Sequence, residues 1–386
     1  MDFLPALPTG RQAAGRDLTL RFLIYLVMFN FLSRFLGKPN AYLGVDIGTT
    51  SIKVVELSGS KNNATLSNYA LLESFGHFER ANNVIQANAV KISEKETTAL
   101  LKILLKKMKF KTQLAVASIP SFASFVTLIE LPSMSVEETN KTMAFQIRQN
   151  IPLPLTEIAV DWIRVGQRQD ENGFEKQQIL LVAIPNETIA RYKSVFKNAG
   201  LSLRALEIEN LAYARSTVGG DPTPTLVADI GARSTSVSII EEGFLKSSVQ
   251  FDYAGDSLTQ AIVKGLGIGY RRAEELKKQR GIMGGVGEYE LSTLEIPFVD
   301  VIIDGVVKAK TGFESSFSSS IQRILLVGGG AQLLGLDKYF ENKVGIPVVL
   351  GNGLLFINAP SQTNVVAREL QTRFATAIGL AIKGFL

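Results

Sequence analysis

Apolar residues recur along this chain in several rhythms, and each rhythm predicts a different element. Residues 22–29 (FLIYLVMF) are an unbroken apolar run, well short of the about 20 residues that a membrane-spanning helix requires. From Met28 the spacing turns helical: Met28, Phe31, Leu32, Phe35 and Leu36 fall on one face and Asn30, Ser33 and Arg34 on the other. That pattern predicts a short amphipathic helix. The stretch ahead of it mixes Pro, Gly and Arg with no period, and is expected to be disordered or untranslated. No small-residue cleavage site follows the apolar run, which argues against a secretory signal. Farther along, helical spacing predicts helices over 93–109, 136–150 and 186–198, and the runs LAVASIP, FVTLIEL, IAVDWIRV and QQILLVAIP read as strands. In the helix over 136–150, Val136, Met143, Phe145 and Ile147 are expected to pack into a core. These elements together describe a small α+β unit.

The strongest signal is an internal repeat. VDIGTTSIKVV (45–55) aligns without gaps on ADIGARSTSVS (228–238), matching Asp46 with Asp229, Gly48 with Gly231 and Ser51 with Ser234. Each copy predicts a β-hairpin with a tight glycine turn. A third segment, ILLVGGGAQLLGL (324–336), predicts a buried strand, a turn at Gly328, Gly329 and Gly330, and then a helix. Strand, glycines, helix is a geometry suited to phosphate. In the hairpins, glycine lets backbone amides come close to anionic oxygens, and Thr49, Thr50, Ser51, Ala232 and Ser234 complete the turns. Asp46 and Asp229, at the strand ends, suit a Mg²⁺ that keeps most of its waters. Lys53 lies on the return strand, where alternation directs it either at phosphate or at water.

Composition narrows the alternatives. With 386 residues, 46% hydrophobic and 20% charged, the chain can bury a large core and form more than one folded unit. The balance of 41 Lys and Arg against 36 Asp and Glu gives +5, spread along the chain, a weak pull toward anionic partners. Zero cysteines exclude disulfides, thiolate metal sites and a cysteine nucleophile, and the single histidine, His77, excludes an HExxH site and reads as structural or surface.

The stretches MFNFLSRFLGKPNAYLGVDIGTTSIKVVEL (28–57), QNIPLPLTEIAVDW (149–162), LEIENLAYAR (206–215) and AGDSLTQAIVKGLGIGYRRAEELKKQRG (254–281) resemble the actin-like ATPase superfamily, and more narrowly its PilM family of type IV pilus inner-membrane assembly proteins, relatives of FtsA. The resemblance runs from Met28 to Leu386. It implies an α/β, actin-like (ribonuclease H-like) two-lobed ATPase fold. The first lobe is expected at 41–121 and 204–222, an inserted α+β subdomain at 122–203, and the second lobe at 223–386, with 1–40 holding the extension and amphipathic helix. ATP and Mg²⁺ are the implied cofactors, clamped between the two hairpins and the glycine turn.

Glu274, Lys277 and Lys278 match a Glu-x-x-Lys-Lys helix that contacts the nucleoside in DnaK-type chaperones, although Glu with Lys at i+3 and i+4 is also an ordinary solvated ion-pair face. Glu209 sits where the superfamily orients an attacking water, with Glu207 as the competing choice and hydrolysis at most slow. The implied partner is the short cytoplasmic tail of a PilN-like membrane protein, held between the first lobe and the insertion, together with other pilus platform proteins. The implied location is cytoplasmic, peripheral at the inner face of the membrane, with no role in nucleic-acid binding. The helix from Met28 is expected to meet either a membrane surface or protein. A sugar-type kinase is the rival, since GVDIGTTSIK also opens such enzymes, but no second-substrate motif is evident. An FtsA-like division protein should end in a linker and a basic amphipathic helix, whereas ATAIGLAIKGFL follows directly on the fold.

Overall fold

Two five-stranded sheets of the same topology carry the molecule in the computed structural model, which describes residues 40–73, 94–282, 289–317 and 319–386. The helix expected from Met28, the segment before it and His77 lie outside these residues. The first lobe opens with β1 (Ala41–Ile47), β2 (Ser51–Ser60) and β3 (Asn63–Glu73), continues through helix α1 (Glu94–Met108), and adds β4 (Leu114–Ile119). An insertion follows: β5 (Phe125–Pro132), α2 (Val136–Asn150), β6 (Ile158–Gln169) and β7 (Glu175–Pro185), with strand order β5-β7-β6, all antiparallel. Helix α3 (Asn186–Ala199) and β8 (Ser202–Ile208) return to the first lobe and close its sheet in the order β3-β2-β1-β4-β8, before helix α4 (Glu209–Thr217) leads out.

The second lobe repeats the plan. β9 (Thr225–Ile230), β10 (Thr235–Glu241) and β11 (Phe244–Phe251) form the meander, helices α5 (Gly255–Leu266), α6 (Tyr270–Arg280) and α7 (Tyr289–Phe317) follow, and β12 (Arg323–Val327), α8 (Leu336–Val344) and β13 (Val348–Leu350) complete a sheet of order β11-β10-β9-β12-β13. In both lobes the central strand pairs antiparallel with its hairpin partner and parallel with the next strand in. Leu43, Val45 and Val54 in one sheet, and Leu226, Ala228 and Val237 in the other, are buried at these positions. Continuous apolar runs on the central strands are what a sheet covered on both faces requires.

Two helices pack elsewhere than the expected division suggests. The division 122–203 puts α3 in the insertion, yet Ile189, Tyr192, Val195 and Phe196 bury with Leu101 and Leu104 of α1 in the first lobe's core. The division 223–386 puts the last helices, α9 (Ala367–Arg373) and α10 (Ala375–Lys383), in the second lobe. α9 stays beside β12 and sends Leu370 toward the first sheet, whereas α10 lies on that sheet, where Phe374, Ala377 and Ala381 pack against Val55, Leu57 and Leu66. Gly44 makes this approach feasible, because a Cβ there would sit 1.8 Å from the Ala377 carbonyl oxygen. Periodicity reveals which face of a helix is buried, but not which sheet buries it.

Helix α2 begins at a capping box, in which the Glu138 amide donates to Ser135 Oγ at 3.3 Å and the Ser135 amide to the Glu138 carboxylate at 2.9 Å. Only Met143 and, partly, Ile147 of its expected core residues join the insertion's core. Val136 and Phe145 are 59% and 58% exposed. Phe145 lies about 200° round the helix from Met143, and Val136 opens the exposed first turn.

Candidate functional site

The two hairpins are the same local structure built twice. In the first, the Gly48 amide donates to the Ser51 carbonyl at 2.9 Å, and in the second Gly231 donates to Ser234 at 3.0 Å. Asp46 lies across from Lys53 in one ladder and Asp229 across from Ser236 in the other. Both turns open into one cavity of about 320 Å³, lined by Asp46, Gly48, Thr49, Thr50, Ser51, Lys53, Glu209, Asp229, Gly231, Ala232, Ser234, Glu274, Lys277, Lys278, Gly328, Gly329 and Gly330. The glycine turn is tight against the second hairpin. Gly328 has φ +84°, and a Cβ there would come within 2.3 Å of Asp229 Oδ1 and 2.5 Å of the Ile230 carbonyl. Only glycine satisfies both the dihedral and the contact.

Charge in the cavity is arranged by specific partners. Asp46 accepts a hydrogen bond from Lys53 Nζ at 2.8 Å and another from Ser118 Oγ at 2.8 Å, so its carboxylate is fixed from both sides. Glu209, the first residue of α4, accepts from the Ser121 amide at 3.1 Å and can accept from its hydroxyl at 2.8 Å. Burial and the nearby Asp229 charge push Glu209 up to about 8, with the Ser121 hydrogen bonds pulling the other way. Asp229 is pushed up to about 6 by burial, opposed by Lys53 and reinforced by Asp46. Asp46, Glu209 and Asp229 thus line one cavity, with the Lys53 ammonium paired to Asp46. A cation brought in by a ligand would relieve the repulsion between the carboxyl groups. The competing residue, Glu207, lies elsewhere. It is fully buried and pairs through both carboxylate oxygens with Arg215, which also donates to the Gly379 carbonyl under α10.

At the far end of the cavity, α6 meets α5. Lys277 Nζ donates to the Gly255 carbonyl and Thr259 Oγ1, both at 2.8 Å, and to Glu274 at 2.6 Å. An ammonium has three donors, so Lys277 is committed to tying the two helices. Burial acts to raise Glu274, but Lys277, Thr259 and Lys278 outweigh it and hold its carboxyl below the ordinary range. Across the opening, Glu73 at the end of β3 pairs with Arg373 of α9 and lies 3.6 Å from Lys278 of α6. These contacts join first-lobe and second-lobe elements over the cavity.

Sequence reasoning passed over Ser118, Ser121, Glu73 and Arg373. Ser118 and Ser121 had a signal, because SIPS closes β4 and enters the turn after it, as Gly328–Gly330 follow β12, at the equivalent place in the repeated sheet. Arg373 had none. It stands 300 residues from Glu73, outside any local motif.

A family model described as type IV pilus assembly protein PilM matches residues 44–385. Among solved structures, a PilM–PilN type IV pilus biogenesis complex aligns with a TM-score of 0.73 at 21% identity, covering 89% of this chain and 98% of that chain. The ethanolamine utilization protein EutJ from Carboxydothermus hydrogenoformans aligns with a TM-score of 0.53 at 17% identity, covering 95% and 94% respectively. At these identities the likenesses show the fold, which is the actin-like, two-lobed one.

Proposed function

The chain belongs to the type IV pilus assembly protein PilM family, and from that premise we propose a nucleotide-gated assembly protein that binds Mg–ATP in the cleft and holds the cytoplasmic tail of a PilN-like membrane protein. The observation that carries the nucleotide is the pair of hairpins in matching register, both opening on one cavity with the Gly328–Gly330 turn behind them. Backbone amides in such turns suit phosphate oxygens, and a cavity of this size falls within the usual range for small ligands. Glu274 and Lys278, at the other end, are placed for a ribose and base. Among the described residues no group of three or more His, Cys, Asp or Glu could hold a metal ion. Magnesium carried on the phosphates would have its waters ordered by Asp46 and Asp229. When bound, such an ion would stabilise charge on the phosphates. Glu209, held by Ser121, would orient the attacking water.

The tail reading is supported by the solved relative, which is a complex of PilM with PilN. In this chain β8 ends the first sheet and β6 ends the insertion's sheet, so each has a strand neighbour on one side only. An extended peptide between lobe and insertion can pair with such an edge. A tail of that kind would hold the chain at the inner face of the membrane. Among the described residues no helix is long and apolar enough to cross a membrane. Membership of the pilus assembly family favours this reading over a sugar-type kinase. The test is calorimetric titration of a synthetic peptide of the PilN-like tail into the full chain, with and without Mg–ATP. Coupling predicts that affinity changes at least about fivefold. Binding indifferent to nucleotide would remove the gating, and no binding in either state would remove the tail.

A further inference from the structure

The chain's mild positive excess is not presented evenly. Between residues 102 and 111 the sequence KILLKKMKFK holds five lysines and no acid. All five, Lys102, Lys106, Lys107, Lys109 and Lys111, are exposed, and Ile103 stands among them at 56% exposure. Helical spacing explains the face: Leu101 and Leu104 bury into the first lobe's core, while Lys102, Ile103, Lys106 and Lys107 fall on the contiguous outer side. The acids of α1, Glu94 and Glu96, are confined to its first turn.

The end of the helix is held rigidly. Glu56, almost fully buried, accepts hydrogen bonds from the Lys111 and Thr112 amides at 2.7 and 3.0 Å, and Asn68 Nδ2 donates to the Met108 carbonyl at 2.9 Å. Glu56 thus turns inward to backbone, and among the described residues none of the five lysines takes part in an ion pair. A few lysines at a helix C-terminus are accounted for by the macrodipole. That effect fades within one turn, and does not explain Lys102 or an isoleucine left in water between lysines.

We infer that this face of α1 is a peripheral docking surface for an anionic lipid bilayer. Lysine stems lie along an apolar boundary while their ammonium groups reach anionic headgroups, and Ile103 is placed to enter the interface between them. Nucleic acid fits less well, because the face has neither arginine for bidentate contacts nor an exposed aromatic for stacking. The surface is independent of the cleft and needs neither nucleotide nor a peptide tail.

The test is flotation of the full chain with vesicles of phosphatidylcholine alone and of phosphatidylcholine with phosphatidylglycerol, without nucleotide or partner. The expected result is binding to the anionic vesicles only, lost when salt rises from about 0.05 M to about 0.5 M. Lys102→Glu with Lys106→Glu and Lys107→Glu should lower that binding at least about tenfold, since each lysine near the surface contributes substantially, and Ile103→Asp should lower it further. Lys141→Glu with Lys338→Glu, at exposed sites far along the sequence, should not. Melting curves matched to the parent show that the variants are folded. Equal binding to neutral vesicles, binding unaffected by the triple reversal, no flotation at all, or retention of DNA in place of vesicles would each overturn the inference. None of these outcomes bears on nucleotide binding in the cleft, which is measured separately.

Discussion

Glu207 and Glu209 stand two residues apart, but Glu207 is still in β8 while Glu209 opens α4, and this change from strand to helix backbone sends them to opposite fates. Glu207 is sealed against Arg215, so Glu207→Gln should destabilise the fold by about 3–5 kcal/mol, the usual cost of breaking a buried ion pair. Glu209→Gln should leave the melting temperature close to the parent's and Mg–ATP affinity within about threefold, while lowering the slow release of ADP at least about tenfold. Thermal melts and a coupled ADP assay check both halves, and equal turnover in parent and Glu209→Gln would remove Glu209 from the chemistry. Glu295 of α7 supplies a pH test. It is fully buried, neither carboxylate oxygen has a partner, and burial pushes it up to about 8, opposed by Lys277 and reinforced by Glu274. The folded chain therefore keeps a proton that the unfolded chain releases near 4.5. Between those values the native state binds more protons, so stability falls as pH rises from about 4.5 to about 8 and then levels off. Glu295→Met should remove Glu295's share of that slope, raising the melting temperature more at pH 8.5 than at pH 5.5. A gain that does not grow with pH would show that this carboxyl is not the source.

At the scale of elements, β11 joins the second lobe to the insertion. Lys246 is 3% exposed and donates to the Val165 carbonyl at 2.8 Å and to Gln178 Oε1 at 2.7 Å. The ladder between β6 and β7 shifts register between Arg164 and Gly166, which frees that carbonyl. Gly166 gives room, since a Cβ there would come within 2.4 Å of Lys246 Nζ. β11 pairs with β10, the return strand of the second hairpin, so a shift of that hairpin reaches the insertion through hydrogen-bonded strands. Lys246→Met leaves a buried carbonyl and amide oxygen unpaired, and should cost about 1–3 kcal/mol. It should also reduce the effect of Mg–ATP on tail-peptide affinity to less than about twofold while each ligand still binds alone. By reciprocity the peptide should then lose its effect on ATP affinity as well. Undiminished coupling in this variant would move the connection elsewhere.

Over the whole molecule, what could be read in advance was local and what could not was distant. The hairpins and glycine turn were legible because a turn's chemistry is written in consecutive residues, and α2 was legible because its helical spacing runs through consecutive residues from Val136 to Asn150. That Val136 and Phe145 stay exposed was hidden, since an apolar residue on a helix does not say how far the sheet beneath it extends. The return of α10 to the first sheet was hidden for a related reason: ATAIGLAI is apolar all round and identifies a buried helix without its location. The closing contacts of Glu73 with Arg373 and Lys278 depend on that return and on both lobes meeting. Glu73→Gln should therefore speed nucleotide release, measured by chase of a fluorescent ATP analogue, and leave the fold unaltered. An unchanged rate would mean that these ion pairs do not hold the cleft shut.

The central claim is that the repeated hairpins clamp one Mg–nucleotide, and calorimetric titration of Mg–ATP into the full chain and into Asp46→Ala and Asp229→Ala tests it most directly. The account predicts one site in the parent and at least about tenfold weaker binding in each variant, because each removes a carboxylate from the metal's water shell. Unchanged affinity in both folded variants, or no binding by the parent, would contradict it and make the two hairpins structural turns.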